Sequence, residues 1–343
     1  MAERLCQKWH TLTPGRAYDG AMPRSSAEPD ALLPSLLPCL PEERLGTVES
    51  IEPITIGLSG AGVFAVTAAR GAFVLRVQGT ATDAAAFARQ VRLLRRVADA
   101  GIAPAVVHVD GAARAVVSAR VMGRPLGAAL GDPAQRPIAL ASLVDGLRAL
   151  HALPPEDVAP SDPVGYARTA WQAARARPGF PAWAAALEPV LESAAAALAR
   201  DPRRVISHND ANPGNILWDG TRAWLVDWEV AGLGHPHYDL AVFAMFLRLD
   251  DEAAFELAAR HDGGGLDQQA RATFQALRRL AALLCGLIFL GMVEDLTIRP
   301  APTRTDAPAL RDCYAAMRAG QFDLRQPRDR VAFGLALLAE AAG

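Results

Sequence analysis

The chain has 343 residues, 51% of them hydrophobic and 21% charged, with 37 acidic against 35 basic side chains and a formal net charge of −2. This composition suits a globular protein with a sizeable core. It excludes the basic excess that neutralises a nucleic-acid backbone, so no nucleic-acid partner is expected.

Residues 1–30 are rich in Pro, Gly, Ser and charge and lack an apolar period, which predicts a disordered leader. No apolar stretch behind basic residues marks a signal peptide. Cys6, Cys39, Cys285 and Cys313 are scattered without metal-ligand spacing and read as reduced thiols of a cytoplasmic protein. Ile54–Leu58, Val63–Thr67 and Phe73–Val77 predict consecutive antiparallel strands around a Gly/Ser turn and the Arg70-Gly71 turn. Asp83–Ala100 has a helical period, with Phe87, Val91, Leu94 and Val97 on one face and Gly101 as the stop. Ala105–Val109 and Ala115–Val121 complete a five-stranded sheet with one inserted helix over residues 47–121.

Beyond Pro125 the chain is alanine-rich and mostly helical. Ile138–Leu153 and Ala182–Ala199 predict helices, a strand-like island covers Arg204–Ser207, Ile216–Trp218 and Ala223–Val226, and helices resume at Asp239. The apolar run Leu280–Val293 is shorter than the ~20 residues of a membrane span and reads as a core helix, so no membrane is expected. The fold class is α+β and bilobal: a small antiparallel sheet lobe over 31–122 and a larger, mainly helical lobe over 123–343. The cleft between such lobes is a natural ligand site.

The chemistry concentrates in His208-Asn209-Asp210-Ala211-Asn212-Pro213-Gly214-Asn215 and in Leu225-Val226-Asp227-Trp228-Glu229. Phosphoryl transfer needs a group to receive a hydroxyl proton, oxygen ligands for magnesium and countercharge for phosphates. Asp210, after a strand, suits the first task. The Asn215 amide oxygen and the Asp227 carboxylate suit the second, and a hairpin of 216–218 with 223–226 around Asp219-Gly220 brings them together.

This ordered set resembles the aminoglycoside phosphotransferase and choline kinase-like family, relatives of protein kinases. The family carries His-x-Asp-x-x-x-x-Asn, then a strand ending in Asp before Trp or Phe, then Gly-Asp-Pro-x-x-Asp-Leu-Ala. Here these are His208, Asp210 and Asn215, then Asp227 with Trp228, then Gly234-His235-Pro236-His237-Tyr238-Asp239-Leu240-Ala241, preceded upstream by Leu150-His151-Ala152-Leu153. The resemblance spans roughly residues 40–330 and implies a protein-kinase-like fold and an ATP- and Mg2+-dependent phosphotransferase acting on a small hydroxylated molecule. It implies Asp210 as catalytic base, Asn215 and Asp227 as magnesium ligands, His208 as a brace for the loop and Asp239 as a buried structural acid. On the nucleotide side it implies a phosphate loop at Gly57, Ser59, Gly60 and Gly62. Arg76 stands where many kinases have lysine, with Gln90 as its helix partner where Glu is usual. The backbone of Ser118, Ala119 and Arg120 would be the adenine hinge. Arg76 and Asn209 resemble the choline kinase-like members more than the typical aminoglycoside kinases. The acceptor classes are an antibiotic such as an aminoglycoside or a choline-like amino alcohol; Gln90 keeps open a catalytically weak nucleotide- or metabolite-binding relative.

Three further features have plainer readings. His235-x-His237 carries too few ligands for a zinc site. Trp218, Trp224 and Trp228 read as packing residues before a cationic cage. Glu294-Asp295 reads as a solvated helix end.

Overall fold

The computed structural model describes residues 36–54, 62–78 and 82–343; the predicted leader and the loop residues Gly57, Ser59 and Gly60 lie outside these. Five antiparallel strands, β1 (Val48–Pro53), β2 (Gly62–Ala68), β3 (Gly71–Val77), β4 (Val106–Asp110) and β5 (Ala115–Ala119), form a sheet in the order β1-β2-β3-β5-β4. The first strand begins upstream of the predicted Ile54–Leu58. A bulge between Val48 and Ser50 breaks its alternation, which hides it in the sequence.

Alternation along β3 decides which side chains meet the cleft. Phe73 and Leu75 point into an apolar layer with Ile51, Phe64, Val66, Val117 and the Leu36–Leu45 segment. Arg76 has the opposite parity. It pairs with Val116 across the ladder, and Val116 packs on Phe87 and Val91 of α1 (Ala84–Asp99). Asp83 caps that helix, accepting from the Ala86 amide at 2.7 Å, and Gly101 (φ +70°) ends it. Leu93 and Val97, on the other side of α1, belong to the helical core, so one amphipathic helix ties sheet to helices.

The helical part comprises α2 (Arg136–His151), α3 (Pro163–Arg175), α4 (Glu188–Arg200), α5 (Pro236–Phe246), α6 (Asp251–Asp262), α7 (Gln268–Gly291), α8 (Leu310–Arg318) and α9 (Pro327–Ala342) around a single large core. The predicted helix Ala182–Ala199 is two elements. Ala182–Leu187 is a 3-10 turn, and α4 starts afresh at Glu188 because Pro189 fits a first helical turn but not an interior. Helix α3 escapes the sequence reading: its buried face is mostly alanine (Ala167, Ala170, Ala174) around Trp171. The apolar run Leu280–Val293 is largely within α7, which by length and composition is long enough to cross a membrane. Yet 72% of its most apolar stretch is buried against the other helices, the mark of a core helix. Helices α7 and α9 touch at two glycines, where a Cβ on Gly286 would lie 2.9 Å from the Gly334 carbonyl oxygen.

Short strands set into the helical part carry the chemistry-bearing segments. β7 (Val205–Ser207) pairs with β10 (Gly232–Gly234). β8 (Ile216–Trp218) and β9 (Ala223–Leu225) form the predicted hairpin, and β6 (Arg124–Pro125) adds to β8. Asp219 builds the turn, its Oδ1 accepting from the amides of Thr221 and Arg222 at 2.8 Å each. The result is the α+β, bilobal architecture that the sequence predicts.

Candidate active site

The loop after β7 hangs on one buried acid. Asp239, in the first turn of α5, is fully buried; its Oδ2 accepts from the His208 amide at 2.9 Å and its Oδ1 from the Asn209 amide at 2.7 Å. His151 Nε2 is 3.1 Å from Oδ2. Burial alone would raise the Asp239 pKa, but the His151 contact and the backbone donors outweigh it and hold it below the ordinary carboxylate value. Aiming two successive amides at one carboxylate needs an uncommon backbone, and Asn209 adopts φ +63°. The Asn209 side chain donates to the Val230 carbonyl at 3.0 Å.

His208 links this loop to the next segment. Its Nε2 is 2.9 Å from the Val226 carbonyl oxygen. A carbonyl only accepts, so the ring carries its proton on Nε2. The ring also stands edge-on to Trp228 at 4.7 Å.

Asp210 is held from both sides. Its Oδ1 accepts from Asn212 Nδ2 at 2.9 Å, and its Oδ2 accepts from Asn215 Nδ2 at 2.8 Å. Asn215 Nδ2 also reaches the Asp210 carbonyl at 3.0 Å. With the nitrogen end of Asn215 committed to Asp210, its Oδ1 is the end turned away, as a metal ligand requires. The Val226 amide donates to the Asn215 carbonyl at 2.9 Å, so the hairpin brings Asn215 beside Asp227. Asp227 itself has φ +65°, a second strained position in the same site.

Across the cleft Arg76 Nη2 lies 3.0 Å from Asp227 Oδ1 and also touches the Glu229 carboxylate. Burial would lower the guanidinium pKa, but these two acids more than offset it. Gln90, expected opposite Arg76, accepts instead from Gln78 Nε2 at 2.9 Å. Alternation puts Arg76 on the cleft face, where the segment after β9 supplies acids. Glu229 is the residue the sequence reading missed; an acid two positions past Asp227 was the available signal. Asn215, Asp227 and Glu229 offer oxygen atoms only, a donor chemistry that fits magnesium better than softer metals.

The nucleotide-side residues are less gathered. Gly62 opens β2 opposite Val77. Ser118 pairs with Val74 and Val106 inside the sheet. The Ala119 and Arg120 amides donate to the carbonyls of Ala105 at 2.8 Å and Ala72 at 3.0 Å. Those two amides are thus already used within the protein. The tryptophans pack: Trp218 and Trp228 are buried and donate to Gln135 Oε1 at 2.9 Å and the Leu225 carbonyl at 3.0 Å. Trp224 donates to Asp219 Oδ2 at 2.7 Å. Glu294 and Asp295 are exposed. His235 and His237 face different carboxylates, Asp201 and Asp262.

Residues 50–283 match the phosphotransferase enzyme family, APH. The chain belongs to this family. Solved structures share the fold of this APH-family chain over 73% to 92% of its length. A choline/ethanolamine kinase family protein from Mesorhizobium loti superposes with a TM-score of 0.65 at 21% identity, covering 92% of this chain and 99% of the other. The choline kinase LicA from Streptococcus pneumoniae gives 0.58 at 15% identity, covering 78% and 92%. The aminoglycoside phosphotransferase APH(3'')-Id from Streptomyces rimosus, in complex with ADP and streptomycin, gives 0.52 at 23% identity, covering 73% and 98%. No curated protein sequence matches the chain.

Proposed function

We propose that this APH-family protein is an ATP- and magnesium-dependent kinase that phosphorylates a hydroxyl of a small molecule, with Asp210 as the base. The observation that carries the reading is the clamped Asp210 carboxylate, with Asn212 on one oxygen and Asn215 on the other, next to the Asn215–Asp227 pair. A bound magnesium nucleotide would supply the phosphoryl group and neutralise its charge. Asp210 orients the acceptor hydroxyl and receives its proton. Asn215 and Asp227, with Glu229 beside them, present the oxygen ligands. Arg76 provides a fixed positive charge from the sheet side, and a guanidinium keeps that charge at any working pH. His208 contributes no proton; it holds the loop at the distance the Val226 carbonyl sets. Such catalysis works by positioning and charge stabilisation, without a covalent enzyme intermediate.

Among acceptors, an amino alcohol is favoured over an aminoglycoside. Support comes from Arg76 and Asn209, and from the higher TM-score and coverage of the choline/ethanolamine kinase family structure. An ADP-release screen over amino alcohols, vitamins and antibiotics tests the whole reading. The Asp210→Asn variant should lose about 10²–10⁴-fold in kcat while keeping nucleotide affinity. Equal kcat in that variant removes Asp210 as the base, and Mg-ATP binding without turnover on any acceptor favours the weak-binder alternative.

A further inference from the structure

The catalytic-loop anchor does not end at Asp239. His151 Nε2 faces Asp239 Oδ2 at 3.1 Å, while His151 Nδ1 is 2.8 Å from His261 Nε2. His261 Nδ1 is in turn 2.8 Å from Asp262 Oδ1, and Asp262 Oδ2 is 2.9 Å from His237 Nε2. The side chains of His151, His261 and Asp239 are 5%, 8% and 0% exposed, whereas Asp262 is 23% exposed. The chain thus runs from the buried anchor of the catalytic loop to the surface.

Ionised carboxylates only accept, so His151 Nε2 and His261 Nδ1 each carry a hydrogen. The two inner nitrogens, 2.8 Å apart, need one more between them, because facing lone pairs at that distance repel. Three N–H groups on two rings is one more than two neutral imidazoles carry. The pair therefore holds a single positive charge between two acids. Moving the shared proton from one ring to the other shifts that charge toward Asp239 or toward Asp262 with little heavy-atom movement.

The other histidines nearby give a different count. His235 Nδ1 accepts from the His237 amide at 3.1 Å and its Nε2 faces Asp201 at 2.9 Å, which needs only a neutral ring. His237, His261 and Asp262 offer ligand atoms within 4.8 Å of one another, but both histidines direct N–H groups at Asp262, so the set is hydrogen-bonded rather than arranged for a metal. The charged and titratable groups facing the pair are Asp239 and His237 from α5 and Asp262 from α6. Arg203 stands before β7 with Nη1 3.8 Å from Asp262 Oδ2, Arg148 of α2 lies near Gly263, and His208 is on the far side of Asp239. Phe274 of α7 stands edge-on to the His237 ring at 5.8 Å.

We propose that His261 and Asp262 are positioning residues for the catalytic loop: they keep one extra proton on the His151–His261 pair, and that charge steadies Asp239 and the two loop amides it holds. The effect on turnover rests on the reading of Asp210 as the base; the protonation and its effect on the loop do not.

NMR on the full-length protein with 15N-labelled histidine, titrated between about pH 5 and pH 10, tests this. At the acid end the two rings should show three N–H groups between them. One proton should be lost in a single step, and the His208 and Asn209 amide signals should shift with the same midpoint. Asp262→Asn keeps one acceptor oxygen for His261 and removes the charge, so it should lower that midpoint. His261→Phe should abolish the step in the loop amides; where that variant does not fold, the wild-type and Asp262→Asn titrations decide alone. Two N–H groups across the range, or loop amides that ignore the step, overturn the proposal. With an active acceptor in hand, Asp262→Asn should move the alkaline limb of kcat by the same amount and leave KM for the nucleotide unchanged. A lower kcat with an unmoved limb would mean a merely structural role and also overturns it. A protein that shows the NMR step but turns over no acceptor would sink the kinase reading and leave this inference standing.

Discussion

The two sides of the cleft are built differently. On the helical side the loop 208–215 is held by a set of directional bonds: Asp239 takes two amides, His208 Nε2 meets the Val226 carbonyl, and Asp210 takes Asn212 and Asn215. On the sheet side the named residues sit where strand register leaves them, with Arg76 about one-fifth exposed and reaching across to Asp227 and Glu229. One half is fixed by buried directional bonds, which have few alternatives. The other is fixed by alternation and pairing, which tolerate side-chain exchange. That difference fits a helical side that keeps the family pattern at His208, Asp210, Asn215, Asp227 and Asp239, departing only at His235, while the sheet side departs from it at Arg76 and Gln90.

Breaking the buried anchor should have the largest effect. Asp239→Asn puts an amide donor where a backbone donor points and removes the buried charge, so a loss of about 3–5 kcal/mol is expected in urea unfolding. A midpoint shift equivalent to less than about 1 kcal/mol would show that the loop is not hung on this acid.

Acid should act on the same side. Burial pushes His235 down to about 4 from 6.5, so the unfolded chain binds the extra proton between those values. Stability should be full above pH 6.5 and fall as pH drops toward 4, by on the order of 3 kcal/mol in all. His235→Asn should flatten that limb of the stability–pH curve; an identical curve in the variant would assign the loss to other groups.

A backbone contact gives an intermediate test. A Cβ on Gly234 would lie 2.9 Å from Asn209 Oδ1 and 3.0 Å from Ser207 Cβ. Gly234→Ala should cost about 1–3 kcal/mol by overpacking and displace the Asn209 amide signal. The smallest effect belongs to the sheet side. Arg76 is already neutralised by Asp227 and Glu229, so Gln90→Glu should change stability by less than about 0.5 kcal/mol and nucleotide affinity by less than about threefold. A tenfold gain in affinity would make the helix position a true partner of Arg76.

The candidate catalytic segment, 208–227, was legible because its residues lie close together in the chain. A strand, a tight turn and a hairpin at Asp219-Gly220 leave little freedom, so spacing alone put Asn215 beside Asp227. Helix α1 was legible through its period and its Asp83 and Gly101 ends. Helix α3 was not, since alanines bury well without advertising a face. The α4 boundary was missed because alanine richness continues across Pro189, and only the missing proline N–H stops the helix there.

By itself the sequence determined the fold class, the family and the order of the reactive residues, because local hydrogen bonding and alternation act over a few positions. Tertiary structure alone decided the partners that lie far apart in the chain. Arg76 meets Glu229 rather than Gln90 because β3 and the segment after β9 converge across the cleft. His151, Asp239 and His261 form one hydrogen-bonded chain because α2, α5 and α6 pack together. Which ring carries a proton follows from the atom it faces, and that is set by packing rather than by spacing.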